Sequence, residues 1–171
     1  MMSEPTYLRE EPFTELTVIE VPATPAAVVE GREVPMSDLP ELFDSTFNGL
    51  FPVLSEAGIE PAGPAFALYT RQPSETVDLQ VGISTSAGLT NAQPIAGGRI
   101  VIPAELPGGS MAVRSHLGGY DGLGEAWAQL VKDAMAAGHG PGLPFIELYV
   151  TEPSPEADPA DMRTDLFLTL E

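Results

Sequence analysis

Leu39–Gly58 reads LPELFDSTFNGLFPVLSEAG, and Leu123–Gly138 reads LGEAWAQLVKDAMAAG. The second is a shortened copy of the first. Leu39, Glu41 and Phe43 match Leu123, Glu125 and Trp127 at a constant offset of 84, whereas Ala57 and Gly58 match Ala137 and Gly138 at an offset of 80. About one helical turn is therefore missing from the second copy. Leu39, Leu42, Phe43, Leu50, Phe51 and Leu54 recur at helical spacing, as do Leu123, Ala126, Trp127, Leu130, Val131 and Ala134, so both segments are predicted to be amphipathic helices. Ser37 or Asp38 can cap the first and Asp121 the second, Pro40 fits a first turn, and Gly58 and Gly138 close the two helices.

The same doubling extends outward on both sides. ELTVIEVPATPAAVVEGREV precedes the first helix, and GPAFALYTRQP and VDLQVGI follow it. GRIVIPAELPGGSMAVRSHLGGY precedes the second, and LPFIELYVTEP and TDLFLTL follow it. These are β-branched or alternating runs bounded by Pro, Gly and Ser, so each copy reads strand, strand, helix, strand, strand. The expectation is an α+β fold of about eight strands and two helices, in which duplicated β-β-α-β-β halves (residues 13–86 and 98–171) form one pseudo-twofold domain with a central ligand cleft. Residues 1–12 form an N-terminal extension, SAGLTNAQPIAGG is a linker, and SPEADPADM is an acidic loop whose prolines exclude a ladder position.

Composition narrows the function classes. Seven Lys plus Arg against twenty-five Asp plus Glu give a net charge of −18, so phosphate backbones are unsuited partners. The acidity reads as a solvated surface, or as a field that gathers cationic ligands near a cleft. With 43% hydrophobic residues the chain has material for a core. Absence of Cys excludes disulfides and thiol chemistry. MMSEPTYLREEPF lacks the basic-then-apolar pattern of a secretory signal, and no stretch approaches a membrane helix, so a cytoplasmic location is the default. Arg outnumbers Lys six to one amid abundant Ala, Gly and Pro, as expected of a GC-rich bacterial genome.

The repeat singles out one acid. Aligning FALYT with IELYV pairs Ala67 with Glu147 and Tyr69 with Tyr149. Alternation along a strand points Glu147 the same way as Phe145 and Tyr149, and turns Ile146 and Leu148 to the other face. If that face is the cleft, Ala67 and Tyr69 line it from the first half, with Ala67 leaving room opposite the acid. An isolated buried carboxylate must be hydrogen-bonded, protonated or paired with a cation, and aromatic faces attract organic cations. If the face is solvated, Glu147 is an ordinary surface acid.

On AVVEG, AVRSHLGGYDGLGEAW, FIELYVTEP and DPADMRTDLFLTL, in that order over residues 13–171, the sequence resembles the GyrI-like effector-binding domains found in multidrug-sensing bacterial regulators. The resemblance implies a hydrophobic pocket between duplicated halves and a pocket glutamate for cationic aromatic drugs, matched here by Glu147. It also implies a DNA-binding segment, for which there is no room before Phe13, so the chain is expected to act as a stand-alone ligand-binding domain. SHLGGYDG resembles the family's H-x-G-x-Y segment, with four residues from His116 to Tyr120.

His116 is read either as a locally bonded loop residue or as a group at the cleft edge with Tyr120 as an aromatic wall. Trp127, the sole Trp, lines the cleft or fills the helix–sheet core. Phe43, Phe47 and Phe51 read as core, Met36 as a pliable pocket wall, and Arg163 as an ion-pairing residue that orders the acidic loop. No cofactor motif or metal-ligand spacing is present, and Ser110 and Ser115 lack a nucleophile-elbow context. Three functions compete. The first is capture of lipophilic, cationic aromatic compounds. The second, implied by hydrolases in the same family, is opening of strained electrophiles with Glu147, Tyr149 and Tyr120. The third is an acidic protein-interaction module.

Overall fold

A computed structural model describes residues 11–71, 74–119, 122–150 and 162–170. The described chain runs β1 (Thr17–Val21), β2 (Thr24–Pro35), α1 (Leu39–Ala57), β3 (Pro61–Tyr69), β4 (Thr76–Thr85), β5 (Gln93–Ile95), β6 (Arg99–Leu106), β7 (Gly109–Leu117), α2 (Leu123–Ala136), β8 (Pro141–Tyr149) and β9 (Arg163–Leu170). The fold is α+β, with strands paired antiparallel. Among the described residues no helix is long and apolar enough to cross a membrane.

Among the described residues there are nine strands, where about eight were expected. The addition is β5, inside the segment read as a linker, where Gln93–Ile95 pair with Arg99–Val101 of β6. Pro94 donates no backbone hydrogen bond and is tolerated because β5 pairs with β6 alone in its unit.

The chain forms two compact units, Ala23–Pro107 and Met1–Pro22 together with Gly108–Glu171. In the first unit the strand order is β3-β4-β2-β6-β5. Gly82 of β4 lies opposite Val28, and a Cβ there would stand 2.0 Å from the Ala27 carbonyl oxygen, so the close approach of β2 and β4 requires glycine. α1 covers β2 and β4 with Leu42, Thr46, Leu50 and Leu54 buried. The apolar stripe is narrower than predicted: Phe43 and Phe47 are half-buried and Phe51 is exposed, its ring 6.2 Å from that of Phe47. At the start of α1 Asp38 makes no side-chain cap, because a 3-10 turn over Met36–Asp38 leads directly into the helix. At its end Gly58 takes the left-handed conformation (φ 69°), and the Ile59 N–H closes the turn on the Leu54 carbonyl.

In the second unit the order is β1-β7-β9-β8, so the first strand of the chain pairs with β7, Thr17 opposite Val113 and Val21 opposite Gly109. Correspondingly β6, the first strand of the second sequence copy, pairs with β2. α2, with 14 residues against 19 in α1, packs on β7, β8 and β9. Ala112, Leu130, Ala134, Leu166 and Leu168 form the buried centre of this layer, flanked by Trp127 and Phe145. Asp121, the predicted cap of α2, lies outside the described residues.

Candidate functional site

The register of the second unit puts three rows of side chains on the face that α2 covers. Ala112, Leu168 and Phe145 lie opposite one another across β7, β9 and β8; Arg114, Leu166 and Glu147 form the next row, and His116, Thr164 and Tyr149 the third. Directly paired residues of antiparallel strands project to the same side. Glu147 is thus carried inward by the same alternation that half-buries Phe145 and buries Leu166.

Glu147 is 6% exposed. Its Oε2 accepts a hydrogen bond of 2.8 Å from Trp127 Nε1, and its Oε1 accepts one of 2.7 Å from the Tyr149 hydroxyl. The Trp127 ring meets Phe145 edge-on, with centroids 5.0 Å apart and planes at 61°. The Trp127 indole packs beside the α2 core, one of the two readings the sequence allowed, and its N–H donates to the acid. Arg114, beyond Leu166 in the same row, turns to Asp133 of α2 at 3.3 Å. The acid therefore sits beside aromatic side chains, with Trp127 and Tyr149 each donating to one of its oxygens.

Four of the predicted binding residues, Glu147, Tyr149, Phe145 and Trp127, are brought together in this unit. His116 lies in the third row, on β7 and not in the loop expected of it, and its Nε2 donates to the Gly119 carbonyl at 2.8 Å. Ala67 and Tyr69 are buried in β3, and Met36, 47% exposed, stands before α1; all three belong to the other unit. Tyr120 lies outside the described residues, as does most of the acidic loop. Among the described residues no group of three potential ligands is placed to share a metal ion.

Two features were missed in the sequence. Arg163 pairs with Asp165 on its own strand, through bonds of 2.9 and 2.8 Å, and Asp165 has no exposed surface. Asp165 also accepts from Ser115, whose hydroxyl receives the Phe13 N–H at 2.8 Å. The second is Thr164, buried between His116 and Tyr149. An i, i+2 Arg–Asp pair on a strand was the available signal for the first; only the register reveals the second.

A family model described as the GyrI-like small molecule binding domain matches residues 14–171. No curated protein sequence matches the chain. Among solved structures, the EcmrR C-terminal domain is 17% identical with a TM-score of 0.74, covering 92% of this chain and 97% of that one. The chain spans only 57% of the EcmrR seen in complex with DNA. A hydrolase from Listeria innocua is 15% identical with a TM-score of 0.66, covering 95% and 94%. SAV2435, solved with tetraphenylphosphonium bound, is 9% identical with a TM-score of 0.58, covering 92% and 94%. These likenesses are of fold, whereas the family match spans nearly the whole sequence, and the chain belongs to the GyrI-like small molecule binding domain family.

Proposed function

We propose that the chain binds lipophilic aromatic cations at Glu147, as a domain assembled from two related β-β-α-β-β halves. One observation carries this reading: a carboxylate almost entirely withdrawn from water, with its oxygens held by Trp127 and Tyr149 beside Phe145. A delocalised cation loses little hydration on entering such a site and gains both the negative charge and the aromatic faces. Support comes from the family match and from the tetraphenylphosphonium-bound neighbour of like fold. The net charge of −18 favours cations at a distance and opposes contact of these residues with nucleic acid.

Trp127 is the only tryptophan, so its fluorescence reports on the site directly. Titration with tetraphenylphosphonium is expected to quench it, and Glu147→Gln to weaken binding by about tenfold to a hundredfold, the worth of a charge-assisted interaction. Equal affinities would remove the role of the acid; no binding by the wild type would remove the reading.

A hydrolytic reading is favoured by the 2.7 Å bond between Tyr149 and Glu147 and by the hydrolase among the neighbours of like fold. Here Glu147 exchanges a proton with the substrate or an attacking water while Tyr149 polarises the substrate. Incubation with strained, cyclopropane-bearing electrophiles tests it, and substrate recovered unchanged at saturating protein rejects it.

A further inference from the structure

We propose that Thr164 is a second recognition point of this site, selecting among aromatic cations those that carry a hydrogen-bond acceptor about one aryl ring from the charge. The inference rests on the reading of Glu147 as a cation site and names the ligand class more narrowly. Thr164 is 1% exposed, and among the described residues its hydroxyl has no hydrogen-bond partner. Buried hydroxyls are as a rule satisfied, and at a strand position Val fills the same volume with equal β preference, so a buried threonine without a partner requires an explanation. Its neighbours in the row are engaged elsewhere: His116 Nε2 donates to the Gly119 carbonyl, and the Tyr149 hydroxyl donates to Glu147. The other such hydroxyl, on Thr46, belongs to α1 of the other unit.

The register places Thr164 opposite Tyr149, and Leu166 opposite Glu147, on one face of β8 and β9. Rows two residues apart along a strand are roughly 7 Å apart, close to the span from a phosphonium centre to a para substituent on its ring. Glu147 and Thr164 are 6% and 1% exposed, so a ligand reaches either only when the side chains covering this face move. A cation seated on Glu147 then presents a para oxygen to the Thr164 O–H, which donates to it.

The test compares para-methoxyphenyl(triphenyl)phosphonium with its para-ethylphenyl isostere, which has the same length and no acceptor, on the full chain. The wild type is expected to prefer the methoxy probe by about threefold to tenfold, the net worth of one hydrogen bond. Thr164→Val is expected to bind both probes alike, with the ethyl probe unaffected and the melting temperature held or raised, since a buried hydroxyl without a partner is removed. Thr164→Ser is expected to restore the preference. Two outcomes overturn the proposal while leaving the cation reading intact: Glu147-dependent binding of both probes with no preference in the wild type, or a preference that survives Thr164→Val. A loss of stability in Thr164→Val with equal weakening of both probes assigns the residue a structural role and also overturns it. If neither probe nor tetraphenylphosphonium binds the wild type, the cation reading and the proposal fall together.

Discussion

Glu147 and Asp165 are both buried acids on neighbouring strands, yet their surroundings differ. Glu147 shares its face with aromatic rings and α2; Asp165, paired opposite Leu148, points to the other face and is met by a bidentate guanidinium and the Ser115 hydroxyl. With Arg163 only 10% exposed at its side chain, removing the acid's charge takes from a nearly buried cation the carboxylate that balances it. Asp165→Asn is therefore expected to lower the unfolding free energy by about 3–5 kcal/mol, read from urea denaturation. The double variant Arg163→Met with Asp165→Leu should cost less than the single change, because both charges leave together; a larger cost would refute the account of a buried ion pair. Sequence reading found Glu147 because its counterpart is Ala67, a contrast visible in a linear alignment. It missed Asp165 because in TDLFL an acid followed by apolar residues looks like a strand edge, and its burial depends on which strands flank β9.

The break in β2 shows how an element is held by a remote side chain. The pairing of β2 with β4 shifts between Gly31 and Val34, and Glu33 there adopts the left-handed conformation (φ 48°), unusual for a residue with a Cβ. Asp78 of β4 accepts the Glu33 N–H at 2.7 Å and meets Arg71 at 3.2 Å. The backbone bond first, and the Arg71 bond second, hold the Asp78 carboxyl below its ordinary 3.8. A carboxyl lowered in the folded state stabilises fully above its unfolded pKa, and that stability is lost as pH falls through the folded value. Wild type is expected to exceed Asp78→Asn in stability at neutral pH, and the gap to close as the pH falls below the ordinary 3.8; a gap independent of pH would show that the charge is irrelevant to the bulge. Helices and strands were legible from periodicity and from Gly58, while this bulge and the short β5 were not, because both depend on the partner strand.

The sequence repeat and the compact units divide the chain differently. Copies were legible because each preserves the order of its apolar runs, but β1 pairs with β7 and β6 with β2, an exchange of first strands that no local pattern encodes. A fragment spanning Ala23–Pro107 retains the whole strand order of its unit, whereas residues 13–86 carry β1 without β7 and lack β6. The first fragment is expected to unfold cooperatively in circular dichroism and the second to show no cooperative transition; the reverse result would restore the sequence copies as the folding units. The exchange also has a meaning in time. As the chain is synthesised, Thr17–Val21 is made before every residue of Ala23–Pro107, and its partner Gly109–Val113 follows only after them. At about 5–20 residues per second, β1 waits on the order of ten seconds with its backbone groups served by water. Glu15 and Glu20, within and beside this waiting strand, give neighbouring nascent chains like charges that oppose premature pairing.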